Sequence, residues 1–169
     1  MKNTSGVFLA LYGLHTLFPL SVVSKKQSCD SHSSVGAERV ACNAGLRQEG
    51  LPSLDLWESL PGRSAKLRLF QDNQATARII ATGKAPTLRH IKRTHQVCIA
   101  WLHDTVVGNA IELTDCDTAC MAADIFTKHF VNPDKWTHAS QLIWIVRKQI
   151  YNRFIIESLI GKVPQKKPQ

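Results

Sequence analysis

The chain carries thirteen acidic residues, few enough to weigh one by one. Glu49, Asp55, Glu58, Asp104, Asp134 and Glu157 read as ordinary solvated charges. Three others sit in surroundings that could do chemistry. Glu38 lies inside an apolar helix start, Ala37-Glu38-Arg39-Val40-Ala41. Asp72 falls where a strand should end and a helix begin, followed by Asn73. Asp124 stands in Ala122-Ala123-Asp124-Ile125-Phe126, among side chains that belong in a core. Each has a plain structural alternative. Glu38 could pair with Arg39 or face solvent, and Asp72 could cap the helix that follows it. Asp124 could be a partly buried acid bonded to a neighbouring backbone group. Taken together they suggest carboxylates converging from a sheet edge and two helices. That is an all-oxygen environment suited to Mg²⁺, which keeps several waters and uses few protein ligands.

Several elements must position these acids. Val7 to Tyr12 and Leu17 to Val23 read as a hairpin turning at Gly13, with Pro19 on an edge or at a bulge because it has no N–H for the ladder. Lys2 and the apolar run after it imitate a secretory signal. However, Gly13, His15, Thr16 and Pro19 interrupt the run and no A-x-A site follows, so the hairpin is the better reading. Ser33-Ser34 cap a helix running through Val35, Ala37, Val40, Ala41 and Ala44. Gly50-Leu51-Pro52 should break it, with Pro52 opening a second helix through Leu54, Leu56, Trp57 and Leu60. Pro61-Gly62 is a turn. Lys66 to Phe70 alternates as a strand that delivers Gln71-Asp72, and Asn73 to Ala81 is helical, closing at Gly83. Further helices are expected over about 94–103, 118–128 and 135–146, with a short strand over 110–114. This order indicates an α/β or α+β domain.

Composition narrows the function classes. The 169 residues hold 21 Lys and Arg against 13 acids, a net charge of +8, and are 44% apolar, enough for a core. No run of 18 apolar residues is present to span a membrane. The five cysteines are odd in number and scattered. Cys116 and Cys120 lack C-x-x-C spacing, so reduced thiols and an intracellular setting are expected. The cations cluster. Lys84, Arg89, Lys92 and Arg93 fall between residues 83 and 95 with no acid, and residues 147–169 carry six cations and one acid. Taking these +4 and +5 from the total leaves −1 on the rest. Two basic blocks on a near-neutral body fit a polyanionic partner.

Gln71-Asp72-Asn73-Gln74-Ala75 and Ala123-Asp124-Ile125-Phe126-Thr127-Lys128 resemble the D-N-Q and A-D-I-F-T-K blocks of the ribonuclease H domain that ends copia-type retrotransposon Pol polyproteins. Thr4-Ser5-Gly6, Ser24-Lys25-Lys26-Gln27 and Ser33-Ser34-Val35-Gly36-Ala37-Glu38 follow the same family order, with Gly36 where the family often has Glu. His90 to His95 falls at its basic H-I-x-x-x-H stretch. The matches run from about residue 4 to 130.

The resemblance implies a ribonuclease H-like α/β fold with a mixed central sheet and flanking helices over 1–130, then a C-terminal helix and basic tail over 131–169. It implies Glu38, Asp72 and Asp124 as three of four carboxylates around two Mg²⁺ (or Mn²⁺) ions that hydrolyse RNA in RNA–DNA hybrids. Lys84, Arg89, His90, Lys92, Arg93 and His95 would contact the nucleic acid, and the reverse transcriptase of the parent polyprotein would be a partner. In the family the first carboxylate belongs to an S-D-A-D-W-type strand ahead of Thr-Ser-Gly, where this sequence has only Met1-Lys2-Asn3. The expectation is therefore a domain lacking its first strand and impaired in cleavage. Loss of even an indirect partner of a metal typically costs about 10–100-fold. The alternative from the same residues is a non-catalytic remnant that binds nucleic acid through its basic patches.

Overall fold

A computed structural model of the chain describes residues 3–14, 16–28, 33–60, 65–84, 99–109 and 111–145. The expected turn at Pro61-Gly62, the basic residues Arg89 to His95 and the C-terminal tail lie outside them. The described residues form a mixed α/β structure with two small sheets.

The first sheet is the expected hairpin. Strands β1 (Thr4–Gly13) and β2 (Thr16–Lys26) pair antiparallel. The register slips between Leu9, opposite Ser21, and Ala10, opposite Pro19, leaving Leu20 unopposed. Pro19 thus sits at a bulge, where a missing N–H costs no ladder bond. Alternation along β1 gives its two faces different neighbours. On one face Val7 packs on Gly45, where an added Cβ would lie 3.2 Å from the valine. On the other, Phe8 stacks with Phe126 at 6.4 Å between ring centroids, and Ser24 Oγ donates to the Phe126 carbonyl at 2.7 Å.

Helix α1 (Ser34–Gly45) starts where expected. Ser33 is extended, and its hydroxyl accepts from the Gly36 N–H at 3.1 Å. The expected break at Gly50 does not occur. A single π-helical turn, Leu46–Gly50, leads directly into α2 (Leu51–Glu58), with the Leu51 N–H reaching back to the Leu46 carbonyl. Pro52 would clash with a carbonyl in a regular α-turn; the wider turn accommodates it, so the chain bends its ladder without ending the helix. Of the α2 residues expected inside, Leu54 is buried, while Leu56 and Leu60 are exposed.

The second sheet is a parallel pair, β3 (Arg68–Gln71) and β4 (Glu112–Asp115), joined through α3 (Gln74–Thr82) and α4 (Ile99–Gly108). Asn73 caps α3, accepting the Thr76 N–H at 3.0 Å. Gly83 closes it at φ 66°, a left-handed position where a Cβ would also meet the His103 ring at 3.0 Å. The helix expected over 94–103 is described from Ile99 and continues to Gly108. Cys42, Leu46, Ile80, Leu102, Val106 and Ile111 form the core, flanked by Leu67, just ahead of β3, and by Leu69 and Leu113 of the parallel pair.

The helix expected over 118–128 is replaced by two 3₁₀ turns, Thr118–Cys120 and Ala122–Phe126, separated by an extended Met121. Asp117 caps the first, accepting the Ala119 N–H at 2.8 Å. The apolar spacing that suggested a helix instead serves two short turns. Their close approach to the hairpin shows at Gly6, where a Cβ would come within 2.7 Å of the Ala123 carbonyl. Helix α5 (Pro133–Leu142) starts at an Asn132 cap and ends earlier than the expected 146, with Trp144 at φ 68°. His138 Nε2 meets the Ala119 carbonyl at 2.7 Å and ties α5 to the first turn.

Candidate carboxylate cluster

Each of the three acids is delivered by a different element. Glu38 is half-buried in the second turn of α1. The start of that helix is set against the hairpin by Gln27, whose Nε2 donates both to Ser5 Oγ and to the Ala37 carbonyl, each at 3.0 Å. Ser5 and Gln27 are each 5% exposed, so these hydrogen bonds are shielded from bulk water. Glu38 does not pair with Arg39. The arginine lies on the core stripe with Gly36 and Cys42, and its Nε donates to the Val35 carbonyl at 3.2 Å.

Asp72 follows β3, whose pairing continues past the strand end through the Cys116 N–H to the Gln71 carbonyl at 3.0 Å. It does not cap α3, because Asn73 holds that position, so the Asp72 carboxylate is left for other partners. Thr118 Oγ1 donates to its Oδ2 at 3.2 Å, linking it to the first 3₁₀ turn. Asp124 occupies the second 3₁₀ turn, not a helix. Its carbonyl accepts the Thr127 and Lys128 N–H groups at 3.0 and 2.9 Å, and its Oδ2 pairs with Lys128 Nζ at 2.5 Å.

These three carboxylates share one electrostatic field. The Glu38 carboxyl is pushed above its ordinary range by burial first, then by repulsion from Asp72 and from Asp124. The Gln71 side chain and the Lys128 charge partly oppose that rise. Burial also raises Asp124, and Asp72 adds to the rise while Lys128 counters it. Cys42, one turn beyond Glu38, is pushed up to about 12 by burial and by the glutamate's charge, which makes it an inert core thiol. Cys42 and Cys120 are free thiols.

Crowded, partly desolvated negative charge favours a bound cation. The side chains do not close on one, however. Among the described residues no group of three or more His, Cys, Asp or Glu side chains could hold a metal ion. As it stands, the donor set does not fit the two-ion centre that the resemblance implies. Asp124 is committed to Lys128 and Asp72 to Thr118.

Sequence reasoning missed three side chains. Gln71 lies against Glu38, with an Nε2 that completes no hydrogen bond of good geometry. Thr118 serves Asp72, and Lys128 neutralises Asp124. Only the last left a signal, the i,i+4 spacing of acid and lysine. Of the expected nucleic-acid contacts, Lys84 is exposed just after the α3 cap. Arg89, His90, Lys92, Arg93 and His95 are outside the described residues.

No protein-family model, no curated protein and no solved structure matches the chain. None of its described helices is long and apolar enough to cross a membrane.

Proposed function

We propose that the chain is a portion of a ribonuclease H-like domain of the copia-type Pol polyprotein kind, with Glu38, Asp72 and Asp124 as three of its four carboxylates. On this reading the parent domain cuts the RNA of RNA–DNA hybrids beside a reverse transcriptase. The observation that carries it is the mutual repulsion of these three acids, brought together from a helix, a strand end and a 3₁₀ turn. The first carboxylate of the family pattern has no counterpart in the sequence. The three acids present do not close on a metal, so the isolated chain is read as impaired. Divalent ions, when bound in such domains, supply Lewis-acid chemistry at the scissile phosphate.

The test is a labelled RNA–DNA hybrid incubated with Mg²⁺ and either the 169-residue chain or the chain extended by an S-D-A-D-type segment ahead of Thr4. Little or no cleavage by the first is expected, with a gain in the second that Asp124→Asn removes. Brisk cleavage by the unextended chain, undiminished by Asp124→Asn, would overturn the reading.

A second reading, a non-catalytic nucleic-acid-binding remnant, is favoured by the exposed Lys84 at the head of the basic block. Under it both proteins are inactive, yet the chain retains hybrid or duplex, and retention falls steeply as salt rises.

A further inference from the structure

Both sheets leave one backbone edge unpaired. In a strand the N–H and C=O of one residue point to the same side, and successive residues alternate. The Leu67 and Gln71 carbonyls accept the Glu112 and Cys116 N–H groups, so Arg68 and Phe70 direct theirs to the edge of β3 away from β4. On the hairpin the Gln27 N–H donates to the Asn3 carbonyl, so Thr4, Gly6 and Phe8 direct theirs away from β2. Among the described residues no backbone group pairs with these outward edges.

The two edges lie side by side and run in opposite directions. Arg68, at the start of β3, is 5.7 Å from the ring of Tyr12 near the end of β1. At the other end Gln71 lies against Glu38, and the neighbouring Ala37 carbonyl is held by Gln27 together with Ser5 of β1. Helix α1 reaches both sheets, with Gly45 on Val7 and with Cys42 and Leu46 in the core beside Leu69. Adjacent strands pair at about 4.8 Å. β1 and β3 do not pair, so their edges bound a slot beneath one helix. Further observations ask for an occupant. Phe70 is 48% exposed in a parallel strand, a setting where both faces are ordinarily covered. Gln71 of β3 and Arg39 on the buried stripe of α1 are 5% and 1% exposed, and both keep side-chain nitrogens without acceptors. An inserted backbone brings carbonyl acceptors.

We propose that the slot between β1 and β3 binds an extended strand of a second polypeptide, antiparallel to β1 and parallel to β3, apolar in its middle and basic at its C-terminal end. The direction follows from the longer edge: β1 has ten residues against four in β3, and antiparallel pairing is the more stable per residue. The apolar middle lies under the Cys42 and Leu46 stripe of α1. The C-terminal end then falls beside Glu38 and Asp72. Lys128 pairs with Asp124, and among the described residues neither of the other two acids has an ion pair. Backbone edges carry this inference, so it stands apart from the nuclease reading and uses no metal.

The experiment titrates the full chain into a fluorescein-labelled, C-terminally amidated peptide, Thr-Val-Ile-Val-Thr-Lys-Lys, and reads fluorescence anisotropy. Saturable binding is expected. The peptide Lys-Lys-Thr-Val-Ile-Val-Thr, charged at the other end, should bind about tenfold or more weakly. Phe70→Pro removes an outward N–H without touching the β4 ladder and should abolish binding, with circular dichroism checking the fold. Because proline could disturb β3 itself, amide hydrogen exchange on the unmodified chain reads the same contact. The peptide should slow exchange at Gly6, Phe8, Arg68 and Phe70 and leave Leu69, already turned to β4, as it was. Absence of saturable binding, binding that leaves those four amides unprotected, or a folded Phe70→Pro chain that binds like the parent would overturn the slot. Equal affinity for the two peptides would overturn the stated direction. The peptide has no acidic side chain, so these outcomes and those of the hybrid-cleavage test are independent.

Discussion

The two sheets of this chain solve the same problem in opposite ways. The β1–β2 hairpin is long, ten and eleven residues, and closes through its own turn, so its pairing is set within a single stretch of chain. It faces Val7 toward α1 and Phe8 toward the second 3₁₀ turn, yet leaves Phe18, Leu20 and Val22 exposed on β2. The β3–β4 pair has only four residues in each strand and joins segments some forty residues apart. It persists because α3 and α4 cover it with Ile80 and Leu102, both fully buried. A hairpin carries local pairing but is marginal alone. A parallel pair has no short closure and depends on the helices over it. Among the described residues, Arg68 bridges the two sheets. It pairs with Glu112 at 2.8 Å across the parallel strands and lies 5.7 Å from the Tyr12 ring at the end of β1.

This contrast can be broken by mutation. Leu102→Ala removes support from the parallel pair and should cost about 2–5 kcal/mol in urea unfolding. Phe18→Ser, on the open hairpin face, should change stability by no more than about 0.5 kcal/mol. Equal losses would mean that the hairpin's outer face is covered and the contrast false.

Gly6→Val probes the hairpin's covered face. Its Cβ would fall 2.6 Å from Thr127 Cγ2 and 2.7 Å from the Ala123 carbonyl, and the backbone oxygen cannot swing aside. A loss of about 1–3 kcal/mol is expected by the same measurement.

Arg39→Met tests the buried face of α1 with a gain. Arg39 is 1% exposed, and neither of its terminal nitrogens has a hydrogen-bond partner. Burying such donors unmet costs about 1–3 kcal/mol, and an unbranched apolar side chain of similar length should recover much of it as a higher urea midpoint.

The smallest effect is one of pH. Folding raises the Glu38 carboxyl above its unfolded value, so the folded state holds the proton more tightly. That contribution is fully present below the ordinary carboxylate range, at about pH 4, and is lost as pH rises through the raised value. Glu38→Gln should therefore melt higher than the parent at pH 7 and with it at pH 3.5. A pH-independent difference would mean that the glutamate's burial and its acidic neighbours do not act on its charge.

Much of this architecture was legible from residue order. The hairpin follows from two apolar runs about Gly13, the Pro19 bulge from a missing N–H, and the α1 and α3 limits from Ser33, Asn73 and Gly83, because each depends on interactions within a few residues. The Gly50-Pro52 junction was misread because a proline marks trouble for a helix without saying whether the chain stops or widens one turn. The 118–128 segment was misread because its apolar periodicity belongs to packing against the hairpin at Gly6 and Phe8, not to a helix of its own.

At the acids the division is similar. Glu38, Asp72 and Asp124 stand out by type and by apolar or junction surroundings, which are local properties of the chain. Which of them repel one another, which donor each keeps, and that Arg39 points into the core while Lys128 takes Asp124 are matters of distance between segments remote in sequence. Electrostatic and hydrogen-bond energies depend on separation in space and on exclusion of water, and both exist only once the elements have packed.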